Sequence, residues 1–353
     1  MNMERQALFG MNPDEIRDVI SNKSMPAYTA DQITDWLYRK DITDFHGMTN
    51  LSKKTREFLI NNYTLGLTPH VEASESKDGT KKYLFKAGKS QFIESAWIPE
   101  GKRGTLCLST QIGCKMGCAF CMTGKQGFQG NLTAGEILNQ VKMLPERDQL
   151  TNIVYMGMGE PMDNINEVLK SIHILTSPKC FALSPRRITV STIGMIPAMK
   201  RFLEECDVHL AVSLHTAFSD DRLKIMPIQK MYPAHEIIST LKNYNWKGQR
   251  RVSIEYIMFK GFNDTSRHAD ALAKLLHGLQ CRINLIRFHS IPGTELAGTS
   301  EEEMIAFRNR LNEKNITATI RKSRGQDIEA ACGMLSTIIA GNVPQPCPSR
   351  SVQ

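Results

Sequence analysis

The chain has 353 residues, of which 41% are hydrophobic and 23% charged, with a formal net charge of +8. No apolar run is long enough to span a membrane, and the opening MNMERQALFGMNPDE lacks the hydrophobic stretch of a secretory signal, so a cytosolic protein is expected. The excess of cations suits a polyanionic partner, and nine cysteines in a reducing compartment point to metal ligands or redox-active thiols rather than structural disulfides.

Residues 1–68 read as a helical unit. In ADQITDWLYRK (30–40), Ile33, Trp36 and Leu37 recur at three- and four-residue steps, the period of an amphipathic helix. In KKTREFLINNY (53–63), Phe58 and Leu59 can face inward while Lys53, Lys54 and Arg56 face out, towards solvent or equally towards RNA. Over 69–100 the period shortens: VEASESKDGTKKYLFKAGKSQFIESAWI predicts strands about an Asp78-Gly79 turn, a small bridging sheet.

Residues 101–335 then alternate short β-branched runs with helical patterns. The strands are predicted at TLCLS (105–109), NIVYM (152–156), RITVS (187–191), VHLAVSL (208–214), RVSIEYIM (251–258) and RINLIRF (282–288). TAGEILNQVKML (133–144) and DTSRHADALAKLLHGL (264–279) are two of the intervening helices. The fold class is therefore α/β, a partial (β/α)6 barrel whose chemistry should gather at the carboxyl ends of its strands. The proline-rich tail, 336–353, is expected to be loose.

GCKMGCAFC (113–121) concentrates Cys114, Cys118 and Cys121 in the loop after the first of these strands. Structural zinc usually takes four ligands in two pairs, and the next candidates, His173 and Cys180, are remote. Three thiolates instead satisfy three irons of a [4Fe–4S] cubane and leave the fourth open to a small chelating ligand. In MGMGEP (156–161), Gly157 and Gly159 permit a close backbone approach to a ligand; Glu160 reads either as a carboxylate for a cation or as the capping acid of a tight turn.

The C-x3-C-x2-C loop, with Phe120 before its last cysteine, resembles the radical S-adenosylmethionine (SAM) superfamily. CMTGKQGFQGNLT, MGMGEPMDN, ALSPRRITVSTIGMIP, SLHTAFSDDRLKIMPI, EYIMFKGFND, INLIRF and RKSRGQDIEAACG together resemble the RlmN/Cfr family of RNA adenosine methyltransferases, over roughly 26–335. Pro161, the GKQGF segment and Pro292-Gly293 look more like the RlmN branch, which methylates adenine C2, than the Cfr branch, which methylates C8; Arg287 departs from the proline common at its place.

The resemblance implies a set of roles. Cys114, Cys118 and Cys121 hold the cluster; Gly159, Glu160, Ser191, Ser213, Leu214, His215 and His289 contact SAM, with His289 standing where asparagine is common. Cys332 becomes S-methylated, Cys107 later attacks it, and Glu94 is the general base. It also implies 23S rRNA and tRNA as partners and a flavodoxin- or ferredoxin-type reductant; a monomer with no membrane association is expected. The basic helical head, Arg186, Arg187 and Arg321-Lys322-Ser323-Arg324 are expected to hold RNA phosphates. The other class of function open to the sequence is a non-catalytic RNA-binding protein with a structural metal site.

Overall fold

The computed structural model describes residues 5–23, 25–88, 90–246 and 252–337. Its centre is one ten-stranded sheet in which chain order equals spatial order. The strands are β1 (His70–Glu75), β2 (Lys81–Ala87), β3 (Gln91–Glu100), β4 (Arg103–Cys107), β5 (Asn152–Tyr155), β6 (Ile188–Thr192), β7 (His209–Ser213), β8 (Val252–Met258), β9 (Cys281–Arg287) and β10 (Ala318–Ile320). β1 to β4 pair antiparallel, and β4 to β10 all run parallel.

All six predicted parallel strands form. A seventh, β10, joins them; three residues are too few to display a period. The segment 69–100 is hydrogen-bonded into the same sheet, with Ala96 opposite Cys107 and Trp97 opposite Leu106. The predicted turn is present: Gly79 has φ +82° and Asp78 Oδ1 accepts from the Thr80 N–H at 2.9 Å.

Two-residue alternation sorts the barrel side chains. Leu106, Ile153, Tyr155, Val190, Leu210, Val212, Ile254, Tyr256, Ile283 and Leu285 are wholly buried in the core under the helices. Their neighbours Cys107, Val154, Ser191, Ser213, Glu255 and Ile286 face the barrel interior. One stripe makes the fold and the other is left for chemistry.

The N-terminal helices are α1 (Pro13–Ser21), α2 (Tyr28–Tyr38) and α3 (Lys53–Asn62). A capping box of Asn12 and Glu15 starts α1, and Ser52 caps α3 by accepting from the Thr55 N–H. Ile33, Leu37 and Leu59 are wholly buried, whereas Trp36 and Phe58 are half-buried. Lys53 and Lys54 are exposed; Arg56 is half-buried and donates to the His46 carbonyl at 2.9 Å. The unit docks on α5 (Ala134–Lys142) and α6 (Ile165–Thr176). There Asn139 exchanges two hydrogen bonds with the Thr68 backbone, and Lys170 pairs with Glu15 at 2.7 Å. Of the tail expected to be loose, residues 338–353 lie outside the described residues. Among the described residues, no helix is long and apolar enough to cross a membrane.

Candidate active site

The parallel strands surround a cavity of about 550 Å³, and the cysteine loop lies across it. Cys114 and Cys118 are buried, Cys121 is half-buried, and all three thiols are free. Backbone geometry shapes the loop. Gly113 has φ +71°, and a Cβ there would stand 1.6 Å from the Gly127 carbonyl oxygen. Met116, Phe120, Ile225 and Met226 give the thiols an apolar bed. Burial pushes Cys114 up to about 12 and Cys118 well above its ordinary value, and the neighbouring thiols push the same way. Metal binding reverses that penalty, because a coordinated thiol sheds its proton. Among the described residues, no three His, Cys, Asp or Glu side chains converge on a single ion. Thiols spread around a loop suit a cluster, in which each meets a different iron.

Arg222, on the helix Ser219–Ile225, is wholly buried beneath this loop. It donates to the carbonyls of Ile193 (2.9 Å), Ser213 (3.4 Å), Leu214 (3.2 Å) and Tyr232 (3.1 Å) and to Gln229 Oε1 (2.8 Å). Burial lowers its pKa to about 10 and Cys118 opposes that fall, so a buried cation stands near the thiols. Sequence reading missed it, since an arginine in SDDRLKI looks like any exposed helix cation.

Glu160 caps the turn after β5, as one reading of it expects, and it also lines the cavity. Its carboxylate accepts from Thr192 Oγ1 at 2.6 Å and from the N–H groups of Met162 and Ile193 at 3.0 Å. Burial raises its pKa to about 7 against those three bonds. The glycines beside it serve the protein's own packing: a Cβ on Gly157 would meet the Leu108 carbonyl at 2.6 Å, and one on Gly159 would meet Gln111 Cβ at 2.5 Å.

Ser191, Ser213, His215 and His289 all line the cavity. His215 is buried at φ +63°, a conformation that costs a non-glycine residue of order 1 kcal/mol. Its Nδ1 accepts from the Ile257 N–H at 3.0 Å, so the ring proton sits on Nε2. Burial and Arg222 lower its pKa to about 3, which keeps the imidazole neutral. His289 Nε2 lies 2.7 Å from Ser323 Oγ, and burial lowers its pKa. Leu214 differs from the expectation. Its side chain packs into the main core, while its N–H donates to Glu255 and its carbonyl accepts from Arg222.

Cys107 and Cys332, 225 positions apart in the chain, meet in this cavity. Ala330, two residues before Cys332, packs with Ala96 and Val154 around Cys107. The turn carrying Cys332 is strapped to α4 (Met122–Gln126): the Met122 N–H donates to the Gly333 carbonyl at 2.8 Å, and Thr123 Oγ1 donates to the Leu335 carbonyl at 2.6 Å. Cys332 is accessible through the cavity, yet surrounding protein raises its thiol pKa, against the pull of Arg321.

Glu94 sits on the cavity-facing side of β3, as do Ala96 and Ile98, but it does not reach the wall. Lys82 pairs with its Oε1 at 3.0 Å, and the Ser336 N–H donates to its Oε2 at 2.9 Å. Burial raises its pKa and Lys82 opposes that.

Three residues expected to hold RNA phosphates are set apart in two places. Arg321 points into the cavity beside Glu255, because β10 carries the segment 321–324 along the inner wall. Arg186 and Arg187 are exposed just before β6, at the amino ends of the parallel strands and away from the cysteine loop.

Residues 108–273 match the Radical SAM superfamily, and residues 6–65 match the Ribosomal RNA large subunit methyltransferase N-terminal domain. A probable dual-specificity RNA methyltransferase RlmN of Parabacteroides distasonis is 53% identical over 95% of this chain and 98% of its own length. The chain belongs to the RlmN family of radical SAM RNA methyltransferases. A dual-specificity RNA methyltransferase RlmN of Desulfotalea psychrophila is 40% identical over 95% of this chain and 96% of its own. The crystal structure of a radical SAM methyltransferase from Sphaerobacter thermophilus superposes with TM-score 0.88 and 39% identity, covering 94% of this chain and 99% of that one. RlmN-family membership makes this protein a radical SAM enzyme that methylates RNA, and it implies a [4Fe–4S] cluster and SAM as cofactors.

Proposed function

We propose that the enzyme methylates C2 of an adenosine in 23S rRNA and of the adenosine beside the anticodon in tRNAs, acting as a monomer in the cytosol. The observation that carries this reading is the meeting of Cys107 and Cys332 in a cavity roofed by the cysteine loop. Adenine C2 lies between two ring nitrogens and is electron-poor, so it cannot displace a methyl group from SAM. A thiolate can.

In this reading Cys332 takes the methyl group from a first SAM by displacement. Cys114, Cys118 and Cys121 would hold a [4Fe–4S] cluster that, with a second SAM and a flavodoxin- or ferredoxin-type donor, would supply the one-electron chemistry, by which a hydrogen atom leaves the Cys332 S-methyl group for 5′-deoxyadenosine and one electron is returned from the ring adduct. Glu160 would hold the SAM ammonium, which favours its carboxylate form. Ser191, Ser213, His215 Nε2–H and His289 offer hydrogen bonds along the same wall. Cys332 carries the methylene that joins the ring carbon. Glu94 takes the ring proton once the Ser336 segment moves aside, and burial, by raising its pKa, suits it to that role. Cys107 then attacks the Cys332 sulfur, and the resulting disulfide is reduced before the next turnover. The target base must leave its stack to reach the cavity.

Mass spectrometry of nucleosides from treated RNA tests the proposal directly. 2-Methyladenosine is expected, together with dithionite-dependent 5′-deoxyadenosine. 8-Methyladenosine would assign the Cfr-type reaction instead, and SAM-inert protein would assign a binding role only.

A further inference from the structure

The cavity contains a charge arrangement that the roles above leave unused. Glu255 on β8 is 3% exposed; its Oε1 accepts from Asn284 Nδ2 at 2.8 Å, and its Oε2 has no hydrogen-bond partner. Arg321 Nη1 stands 3.6 Å from that orphaned oxygen and 3.8 Å from Met156 Sδ. Met156 in turn packs against the group formed by Cys107, Ala96, Val154 and Ala330. A buried carboxylate is costly unless it is paired. Here it holds a guanidinium against the wall where the two thiols meet.

We propose that Arg321, seated on Glu255, is the counter-ion against which Cys107 reacts as a thiolate. The assignment rests on the reading of Cys107 as the nucleophile that releases the product. In that step a sulfur–sulfur bond forms between Cys107 and Cys332 and the bond from Cys332 to the methylene breaks. The electron pair passes to carbon, which takes up a proton. A neutral thiol performs this attack poorly, so charge must be available on Cys107. β3, β5 and the Cys332 turn present Ala96, Val154 and Ala330 to it. The ionisable groups facing it are Cys332 and Arg321; burial and Cys332 push its pKa up to about 12, and Arg321 opposes them. Arg321 itself faces Glu255, Cys332, Cys107 and Glu100. Glu255 acts through the guanidinium and is a positioning residue.

The test is alkylation of Cys107 by iodoacetamide across a pH series, read by peptide mass spectrometry on reduced, cluster-loaded enzyme without RNA or SAM. In Arg321→Gln the profile is expected to move up by about one pH unit or more, making alkylation below the midpoint at least about tenfold slower. Arg321→Lys, the milder change, keeps the charge and is expected to stay within about threefold of wild type, well inside one pKa unit. An unchanged profile in Arg321→Gln overturns the assignment, and so does an equal loss in Arg321→Lys, which also decides the matter should the glutamine variant not fold. Failure of the methylation reading would show separately, as wild-type enzyme that makes no methyladenosine.

Discussion

The cysteine loop and the Cys332 turn face each other across one cavity but are built differently. The loop is local: three thiols within eight residues, fixed by Gly113 at positive φ and braced from below by a wholly buried Arg222. The turn is assembled from remote parts. α4 holds Gly333 and Leu335, Gln126 bonds Thr337, and Glu94 on β3 bonds Ser336. Five backbone and side-chain hydrogen bonds hold 333–337 at these points. The loop is fixed by backbone geometry, whereas the turn is held by bonds worth about 1 kcal/mol each.

Breaking the rigid side should have the largest effect. Cys114→Ala, Cys118→Ala or Cys121→Ala is expected to abolish both the iron–sulfur absorbance and all methyladenosine; retained colour with full activity would remove that cysteine from the ligand set. Next comes Cys107→Ala, for which a covalent protein–RNA band on a denaturing gel is expected in place of released product. Normal turnover would refute the resolving role. Arg222→Met removes five buried hydrogen bonds, to the carbonyls of Ile193, Ser213, Leu214 and Tyr232 and to Gln229, so a loss of about 3 kcal/mol in denaturant unfolding is expected. Little change would mean that water replaces the guanidinium.

A smaller effect sharpens the comparison through pH. The Glu160 pKa is raised to about 7 by burial, above its unfolded value. Proton uptake therefore stabilises the fold fully below the unfolded pKa, and that contribution fades as pH rises through about 7. The SAM ammonium needs the opposite, ionised form. SAM affinity measured by calorimetry should thus be roughly tenfold weaker at pH 6 than at pH 8, one pKa unit being a factor of ten; a flat profile would separate Glu160 from the ammonium. The smallest effect belongs to the strap. Thr123→Val removes one bond to Leu335 and should cost about 1 kcal/mol or less, with a few-fold slower adduct formation in single-turnover assays.

Much of this site was legible because its signals are short-range. Cysteine spacing and glycines at a strand end each lie within a window that one element spans, and they located the cluster loop and Glu160; the family likeness offered Ser191, Ser213 and His215, at the strand ends where a barrel gathers its chemistry. Cys107, Cys332 and Glu94 carried no local signal; only the family likeness singled them out. Arg321, in a basic run, is expected from sequence to hold RNA phosphate, and β10 turns it into the cavity beside Glu255. The resemblance offers Leu214 as a SAM contact, and alternation sends its side chain to the core.

The sequence by itself determined the order of elements, the inward and outward faces of each strand, and three thiols close enough to share one centre. Period and spacing are properties of neighbouring residues, so no folding is needed to see them. Only tertiary structure decided that two thiols 225 positions apart share one wall, that Glu94 lies behind the Cys332 turn, and that Arg321 faces Glu255 inside the cavity. Those are relations between segments with no common period, and the closing of the sheet around one cavity sets them.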